Sequence, residues 1–327
     1  MISLIICTYN RDKFIYQTLQ HIADNNFDRS EFEIVLVNNN CTDNTDAECK
    51  RFANEHSDID FRYFVETKQG LSHARNRGID ESRGDILVFL DDDAFVRGDY
   101  MQVLRRQMEQ HPEAMAFGGK ITPLFESGEE PAWLGKWTYS WVSAIDKGSS
   151  VVPFEGNSYP IGANMGFRKE CIDACGKFNT ELGRSKKNLM GGEEKDIFNR
   201  VKEKNYAILY FPDLEVQHVI PPQRTTKEYI KKMALGIGVS ERLRTLRISK
   251  FSYLQRIVNE MVKWGGGCCY LSWIYAARTI CERSCAVVFP ILCNQRPSQQ
   301  ATGNINFFNS SIIRHHGLLI VMPFLFL

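Results

Sequence analysis

The chain has 327 residues, 43% of them hydrophobic, with 40 basic side chains against 39 acidic ones and a formal net charge of +1. That length suits one large domain or two modest ones with a sizeable core. The balanced charge gives no support to a broad nucleic-acid-binding face, so no nucleic acid is expected as a partner.

Met1 to Cys7 is short and apolar, has no basic leader, and runs straight into polar TYNR, so it does not read as a signal peptide. The ten cysteines are therefore expected to be reduced thiols of a cytoplasmic protein. Cys171/Cys175 and Cys281/Cys285 share a spacing, but no histidines lie near at ligand spacing, so ordinary thiols are the better reading than zinc.

The first stretch alternates. ISLIICT (Ile2–Thr8) reads as a buried strand, and Asp12 to about Asn25 has helical periodicity through Phe14, Ile15, Leu19 and Ile22. FEIVLVN (Phe32–Asn38) is a second buried strand, followed by CTDNT, which has the residues of a helix cap. FRYFVE (Phe61–Glu66) is a third strand, Leu71 to Ser82 a helix, and DILVFL (Asp85–Leu90) a fourth strand. Near-continuous apolar strands between helices predict a largely parallel sheet covered on both faces. Ligands of such sheets bind beyond the carboxyl ends of the strands. Thr8-Tyr9-Asn10, Asn38-Asn39-Asn40, Glu66 to Gln69 and Asp91 to Asp93 should therefore converge on one edge.

After residue 110 the pattern changes. AMAFGGKITPLF and SYPIGANMGFRK read as shorter strands, with an aromatic-rich segment between them, EEPAWLGKWTYSWVSAID. Glu193 to Asn205 is helical, AILYFPDLEVQHV reads as two short strands, and Thr225 to about Arg247 and Tyr253 to Cys293 read as helix. Trp264 to Cys293 is strongly apolar but interrupted by Arg278, Glu282 and Arg283, which suits a surface-lying or core helix better than a membrane span. This gives three regions: 1–220 as an α/β domain, 221–293 as a helical extension and 294–327 as a poorly defined tail.

The fourth strand ends in Asp91, Asp92 and Asp93. On an extended chain the first and third point to one face, a natural site for a hard cation such as Mg2+ or Mn2+. The alternative is a solvated acidic turn. GLSHARNRGI offers Arg75, a bidentate partner for a diphosphate beside such a centre, and Arg77, better read as an exposed helix residue. The asparagines of VNNNCTDNT can serve a base or ribose, or simply a turn. GGEEKDIFNRV places Glu193, Glu194 and Asp196 at a helix start, where acids favour the helix dipole or can act as a general base. His218 follows a strand; it is a structural histidine or, near a divalent metal, a further ligand.

Taken in order, TYNR, VNNNCTDNT, GLSHARNRGI, GDILVFLDDDAF, GANMGFRKE and GGEEKDIFNRV resemble family-2 glycosyltransferases over roughly residues 1–220. The resemblance implies a GT-A fold and an inverting transfer from a nucleotide-sugar donor to a glycan or lipid-linked saccharide acceptor. It places Thr8, Tyr9, Asn10 and Asn39 around the nucleotide, Arg75 at the diphosphate, and Asp91 and Asp92 at the donor. Asp93 would bind Mg2+ or Mn2+ with His218, Asn164 and Met165 would border the sugar, and Glu194 would be the base. Two departures stand out. Asn38 and Asn39 occupy a place where the family carries an acid, and the Glu193–Glu194 pair replaces a Glu-Asp pair, so Glu193 or Asp196 could serve as base instead. Trp133, Trp137, Tyr139 and Trp141 are candidates for stacking on the acceptor, or for the core. Two competing readings remain. One is an inactive relative that binds nucleotide-sugar or a partner. The other is a phosphotransferase using Asp91, which lacks the hydroxyl residue such chemistry needs close by. The apolar Trp264–Cys293 stretch suggests peripheral contact with the inner face of the cell membrane.

Overall fold

A computed structural model describes residues 1–134, 138–184 and 191–262. The first half follows the sequence pattern closely. Strands β1 (Ile2–Thr8), β2 (Phe32–Asn38), β3 (Phe61–Val65) and β4 (Ile86–Asp91) alternate with helices α1 (Asp12–Ala23), α2 (Thr45–Glu55) and α3 (Leu71–Glu81). β1 pairs in parallel with β2 and β4, and β2 with β3. Successive side chains of a strand point to opposite faces. Accordingly, Leu4, Ile6, Ile34, Leu36, Val88 and Leu90 pack with α1 and α2, while Ile5, Val35, Val37, Leu87 and Phe89 pack on the other face. Burying both faces explains why these strands are near-continuously apolar rather than alternating, Ser3 and Glu33 being buried exceptions in which the Ser3 hydroxyl donates to Glu33.

The second half adds β5 (Ala94–Val96), α4 (Tyr100–Gln110), β6 (Ala114–Phe125), β7 (Val152–Pro153), β8 (Asn164–Arg168), α5 (Lys169–Cys175), α6 (Glu193–Glu203), β9 (Ala207–Ile220) and α7 (Lys227–Ile248). The sheet runs β3-β2-β1-β4-β8-β6-β9-β5, with β7 beside β9. The first four strands are parallel and β6 runs parallel to β9, so the sheet is largely parallel as expected, with β8 antiparallel to both β4 and β6. The architecture is α/β, a largely parallel sheet flanked by helices.

Residues 207–220 form one strand where two short ones were expected. Its register against β6 slips between Gly119 and Lys120, which pair with Phe211 and Glu215. The slip needs a glycine: a Cβ on Gly119 would lie 1.9 Å from the Leu214 carbonyl oxygen. Beyond the slip, β9 pairs with β5 so that His218 faces Ala94, next to Asp93.

The chain divides into two compact units, Met1–Ser240 and Glu241–Leu327. Residues 250–262 are helical. The remainder of the expected Tyr253–Cys293 helix, the Cys281/Cys285 pair and the tail lie outside the described residues. Among the described residues, no helix is long and apolar enough to cross a membrane. Cys7, Cys41, Cys49, Cys171 and Cys175 are free thiols.

Candidate active site

The carboxyl ends of β1, β2 and β4 open into a cleft of about 610 Å³ within the first unit. Parallel pairing sets Thr8 level with Asn38, and Cys7 level with Asp91. The polar residues after these strands therefore meet at one edge, and Thr8, Tyr9, Asn39, Gln69 and the three aspartates all line the cleft.

One wall carries the aspartates. Asp91 is half-buried at the end of β4, while Asp92 and Asp93 are buried. The β5–β9 pairing brings His218 Nε2 to 3.0 Å from Asp93 Oδ1 and 3.8 Å from Asp91 Oδ2. Two arginines close in on the same carboxylate: Arg11 Nη2 stands 3.3 Å and Arg224 Nη2 3.6 Å from Asp93 Oδ2. Burial raises the Asp93 pKa, but His218, Arg224 and Arg11 outweigh it and hold the carboxyl well below its ordinary value. Asp92 goes the other way. Burial pushes it up to about 7, with Arg11 only partly opposing and Asp93 adding repulsion.

The donor set of this wall fits a divalent cation. One ligand atom each from Asp91, Asp93 and His218 falls within a 4.8 Å group. Both Asp93 oxygens are buried and accept no well-formed hydrogen bond, despite the charges around them. Carboxylate oxygens with one imidazole suit Mn2+ or Mg2+.

The facing wall is the start of α6, which leaves Gly192 in the left-handed region (φ 102°). Acidic residues in its first turn complement the helix dipole. Arg75, buried on α3, forks across both glutamates: Nη1 lies 3.1 Å from Glu193 Oε1, and Nη2 3.2 Å from Glu194 Oε1. The guanidinium also lies over the Phe178 ring, 5.3 Å from its centroid. The Gly162 N–H donates to the same Glu194 oxygen at 2.9 Å. A Cβ at Gly162 would sit 2.0 Å from Arg75 Nη2 and 2.3 Å from Glu194 Oε1, so a larger residue would displace both side-chain ends. Burial raises the Glu194 pKa, Arg75 lowers it, and Glu193 and Asp91 raise it again, so the carboxyl rests at about 7. Asp196 pairs with Arg200 at 3.0 Å and does not line the cleft.

Several expected site residues have other work. Arg75 faces the cleft, but its guanidinium is committed to the two glutamates. The side chain of Asn39 clasps the loop after β3: Nδ2 donates to the carbonyls of Glu66 at 2.9 Å and Lys68 at 2.8 Å, and Oδ1 accepts from the Gly70 N–H at 2.8 Å. Asn10 is exposed, with φ 54°, and accepts from the Thr42 N–H at 2.8 Å without lining the cleft. Asn164 is also outside the cleft lining. Buried at 1% exposure, it accepts from Tyr100 Oη at 2.7 Å and donates to the carbonyls of Lys120 at 3.0 Å and Leu214 at 2.8 Å, tying β8 to β6 and β9. Met165 is fully buried in the core.

Of the aromatic candidates, Trp141 lines the cleft, Tyr139 and Trp133 do not, and Trp137 lies outside the described residues. Arg77 pairs with Glu81 on the helix surface. Sequence reasoning passed over Arg11, Arg224 and Gly162. Arg11 ends the TYNR stretch and Arg224 follows the last strand, yet nothing local ties either one to an aspartate 70 or more positions away.

Residues 3–176 match the domain described as Glycosyl transferase family 2. A glucosyl-dolichyl phosphate glucuronosyltransferase of Haloferax volcanii is 23% identical over 250 residues, 75% of this chain and 77% of that protein. The succinoglycan biosynthesis protein ExoM of Rhizobium meliloti is 26% identical over 241 residues, 72% of each chain. Among solved structures, the mannosyltransferase PcManGT of Pyrobaculum calidifontis, in complex with GDP-Man and Mn2+, superposes with a TM-score of 0.62 at 16% identity, covering 99% of this chain and 86% of its own. Residues 1–349 of Staphylococcus aureus TarS, in complex with UDP-GlcNAc, give 0.51 at 18% identity over 72% of this chain and 66% of theirs. At these identities the structural likeness is one of fold.

Proposed function

Since the chain belongs to glycosyl transferase family 2 and is a glycosyltransferase, we propose that it is an inverting, metal-dependent enzyme that moves a sugar from a nucleoside-diphosphate sugar to a hydroxyl of a glycan or lipid-linked saccharide. The observation that carries this reading is the pairing of walls: an Asp91–Asp93–His218 group on one side of a single cleft and Glu194 on the other.

Asp93 and His218, with Asp91 in reach, would hold Mg2+ or Mn2+. When bound, the ion supplies positive charge against the diphosphate leaving group. Arg11 and Arg224 flank the same spot and would face that diphosphate from the protein side. Thr8 and Tyr9 would border the nucleotide, with Asn39 shaping the loop that closes over it.

Glu194 is suited to be the base. Both of its hydrogen bonds among the described residues go to Oε1, which leaves Oε2 to take a proton. Oε2 accepts the acceptor hydroxyl's proton as the new glycosidic C–O bond forms. The anomeric C–O bond to the diphosphate breaks on the opposite side, and the configuration inverts. A pKa near the working pH makes a carboxylate an effective acceptor.

The donor and acceptor classes are supported by what relatives are described with: GDP-Man and Mn2+ for PcManGT, UDP-GlcNAc for TarS, and glucosyl-dolichyl phosphate for the H. volcanii enzyme. The free thiols of the described cysteines support a place on the cytoplasmic side of the membrane. The test is release of nucleoside diphosphate from a panel of UDP-, GDP- and dTDP-sugars with Mn2+ or Mg2+, in wild type beside Asp93→Asn and Glu194→Gln. Metal-dependent release of one diphosphate, lost in both variants, is the expected result. Donor binding without turnover across varied acceptors would make the chain a non-catalytic relative.

A further inference from the structure

Grouped apolar side chains left in water mark a surface that meets something apolar. Fourteen large hydrophobic side chains are exposed among the described residues, and eight of these fall within residues 241–262. In the helix of residues 250–262, Phe251 (73% exposed), Leu254 (57%), Val258 (49%) and Met261 (53%) recur at helical spacing and form one outward stripe. Arg256 and Glu260 of this helix turn the other way. Arg256 pairs with Glu260 at 3.2 Å and approaches Glu241 at 3.7 Å, and Arg244 meets the same Glu241 oxygen at 3.0 Å. Those two carboxylates are only 13% and 10% exposed. A helix that faces water has the reverse polarity.

The charge around the stripe points to the partner. Residues 241–262 hold five basic side chains and two acidic ones, and both acids are already paired with Arg244 or Arg256. Arg242, Arg247 and Lys250 are exposed. We propose that residues 241–262 are a docking surface for a lipid bilayer with anionic headgroups. The stripe would sink into the headgroup boundary while the exposed cations meet the phosphates. The helix of residues 250–262 is about 20 Å long at helical rise. A hydrocarbon core is about 30 Å thick. The helix therefore lies on the surface rather than spanning it. Such docking would hold the enzyme where lipid-linked acceptors are found, though the binding itself does not depend on the catalytic reading.

The test is vesicle flotation of the full chain, using phosphatidylcholine alone or mixed with phosphatidylglycerol, with turnover of a soluble acceptor followed in parallel. Wild type is expected to float with the mixed vesicles and to be released by salt. The double variants Phe251→Gln/Leu254→Gln and Arg242→Glu/Lys250→Glu are each expected to lower binding about tenfold or more with soluble turnover unchanged. Failure of wild type to float overturns the proposal. So does equal binding by both double variants, which would assign the contact to residues beyond 262. Sedimentation velocity covers the remaining occupant: if Phe251→Gln/Leu254→Gln turns a dimer into a monomer and no variant binds vesicles, the stripe belongs to a second copy and the proposal fails.

Discussion

The two walls of the cleft are built from the same materials, buried carboxylates beside arginines, yet they hold their protons in opposite ways. Asp93 has His218, Arg224 and Arg11 around it, and their combined charge overcomes its burial. Glu194 shares Arg75 with Glu193, gains only a weaker pull from Arg184 and is opposed by Glu193 and Asp91, so burial wins and its pKa rises to about 7. Counting cations per carboxylate therefore predicts the division of labour. Asp93, with three cations against it, stays ionised, while Asp92 on the same wall, opposed chiefly by Arg11, is pushed up to about 7. Glu194, short of positive charge, can likewise gain a proton near neutral pH. Pairs of acids pushed apart in this way commonly divide acid–base and electrostatic roles.

The largest effect should come from Asp93→Asn. The amide keeps the shape but removes the charge that Arg11, Arg224 and His218 surround. Loss of metal-assisted leaving-group stabilisation amounts to several kcal/mol, so turnover should fall about a thousandfold or more. The apparent affinity for Mn2+ should fall with it, as read by titrating metal against rate. Glu194→Gln comes next: a general base is worth roughly 10²–10⁴-fold. Donor binding should be nearly unchanged, because the role proposed for Glu194 is toward the acceptor's proton rather than the nucleotide. If Glu194→Gln left turnover intact while Glu193→Gln abolished it, the base assignment would move by one residue.

The pH dependence sharpens the contrast further. A base works only when deprotonated, and the Glu194 pKa is raised to about 7. In wild type, kcat/KM should therefore rise with pH through about 7 and level off above it. A profile already flat from pH 5 upward would show that Glu194 is not the group titrating.

The legibility of the molecule divides along similar lines. β1, β2 and β4 were readable because strands buried on both faces carry near-continuous apolar runs, and their parallel order alone fixes which polar ends converge. The Asp91–Asp93 motif was visible for the same reason. What closes the site was not. β5 is three residues long and pairs with β9 some 120 positions later, a contact with no local trace that brings His218 beside Asp93. α4 was passed over although Tyr100, Met101, Val103, Leu104 and Met108 bury one face at helical spacing, so the signal was present. The asparagines were ambiguous for a chemical reason. An amide offers donor and acceptor equally to a ligand or to a backbone, and only the fold showed Asn39, Asn10 and Asn164 bonded to protein groups.

Arg75→Lys tests the second wall directly. A lysine is a point charge and cannot fork across Glu193 and Glu194 as the guanidinium does. Misplacing a catalytic group by an ångström can cost about a hundredfold, so kcat should fall by roughly that factor. With a weaker counter-charge beside Glu194, the midpoint of the pH profile should move upward. The donor KM decides between two roles. If it stays constant, Arg75 acts through Glu194, as its 3.2 Å contact indicates. If it rises sharply, Arg75 acts on the diphosphate, as the sequence resemblance implied.

The smallest effect on catalysis should come from Asn164→Leu, and it separates packing from binding. Asn164 makes three hydrogen bonds that join β8 to Tyr100, Lys120 and Leu214, all away from the cleft lining. Replacing it strands two buried carbonyls and a tyrosine hydroxyl. Each such group costs roughly 1–3 kcal/mol when left unsatisfied. The variant should lose at least about 2 kcal/mol in urea unfolding, while the folded fraction keeps a wild-type donor KM. A donor KM raised tenfold with unchanged stability would instead put Asn164 back at the sugar. The cleft would then extend past Gly162 toward β8, and the wall that now looks purely structural would belong to the site.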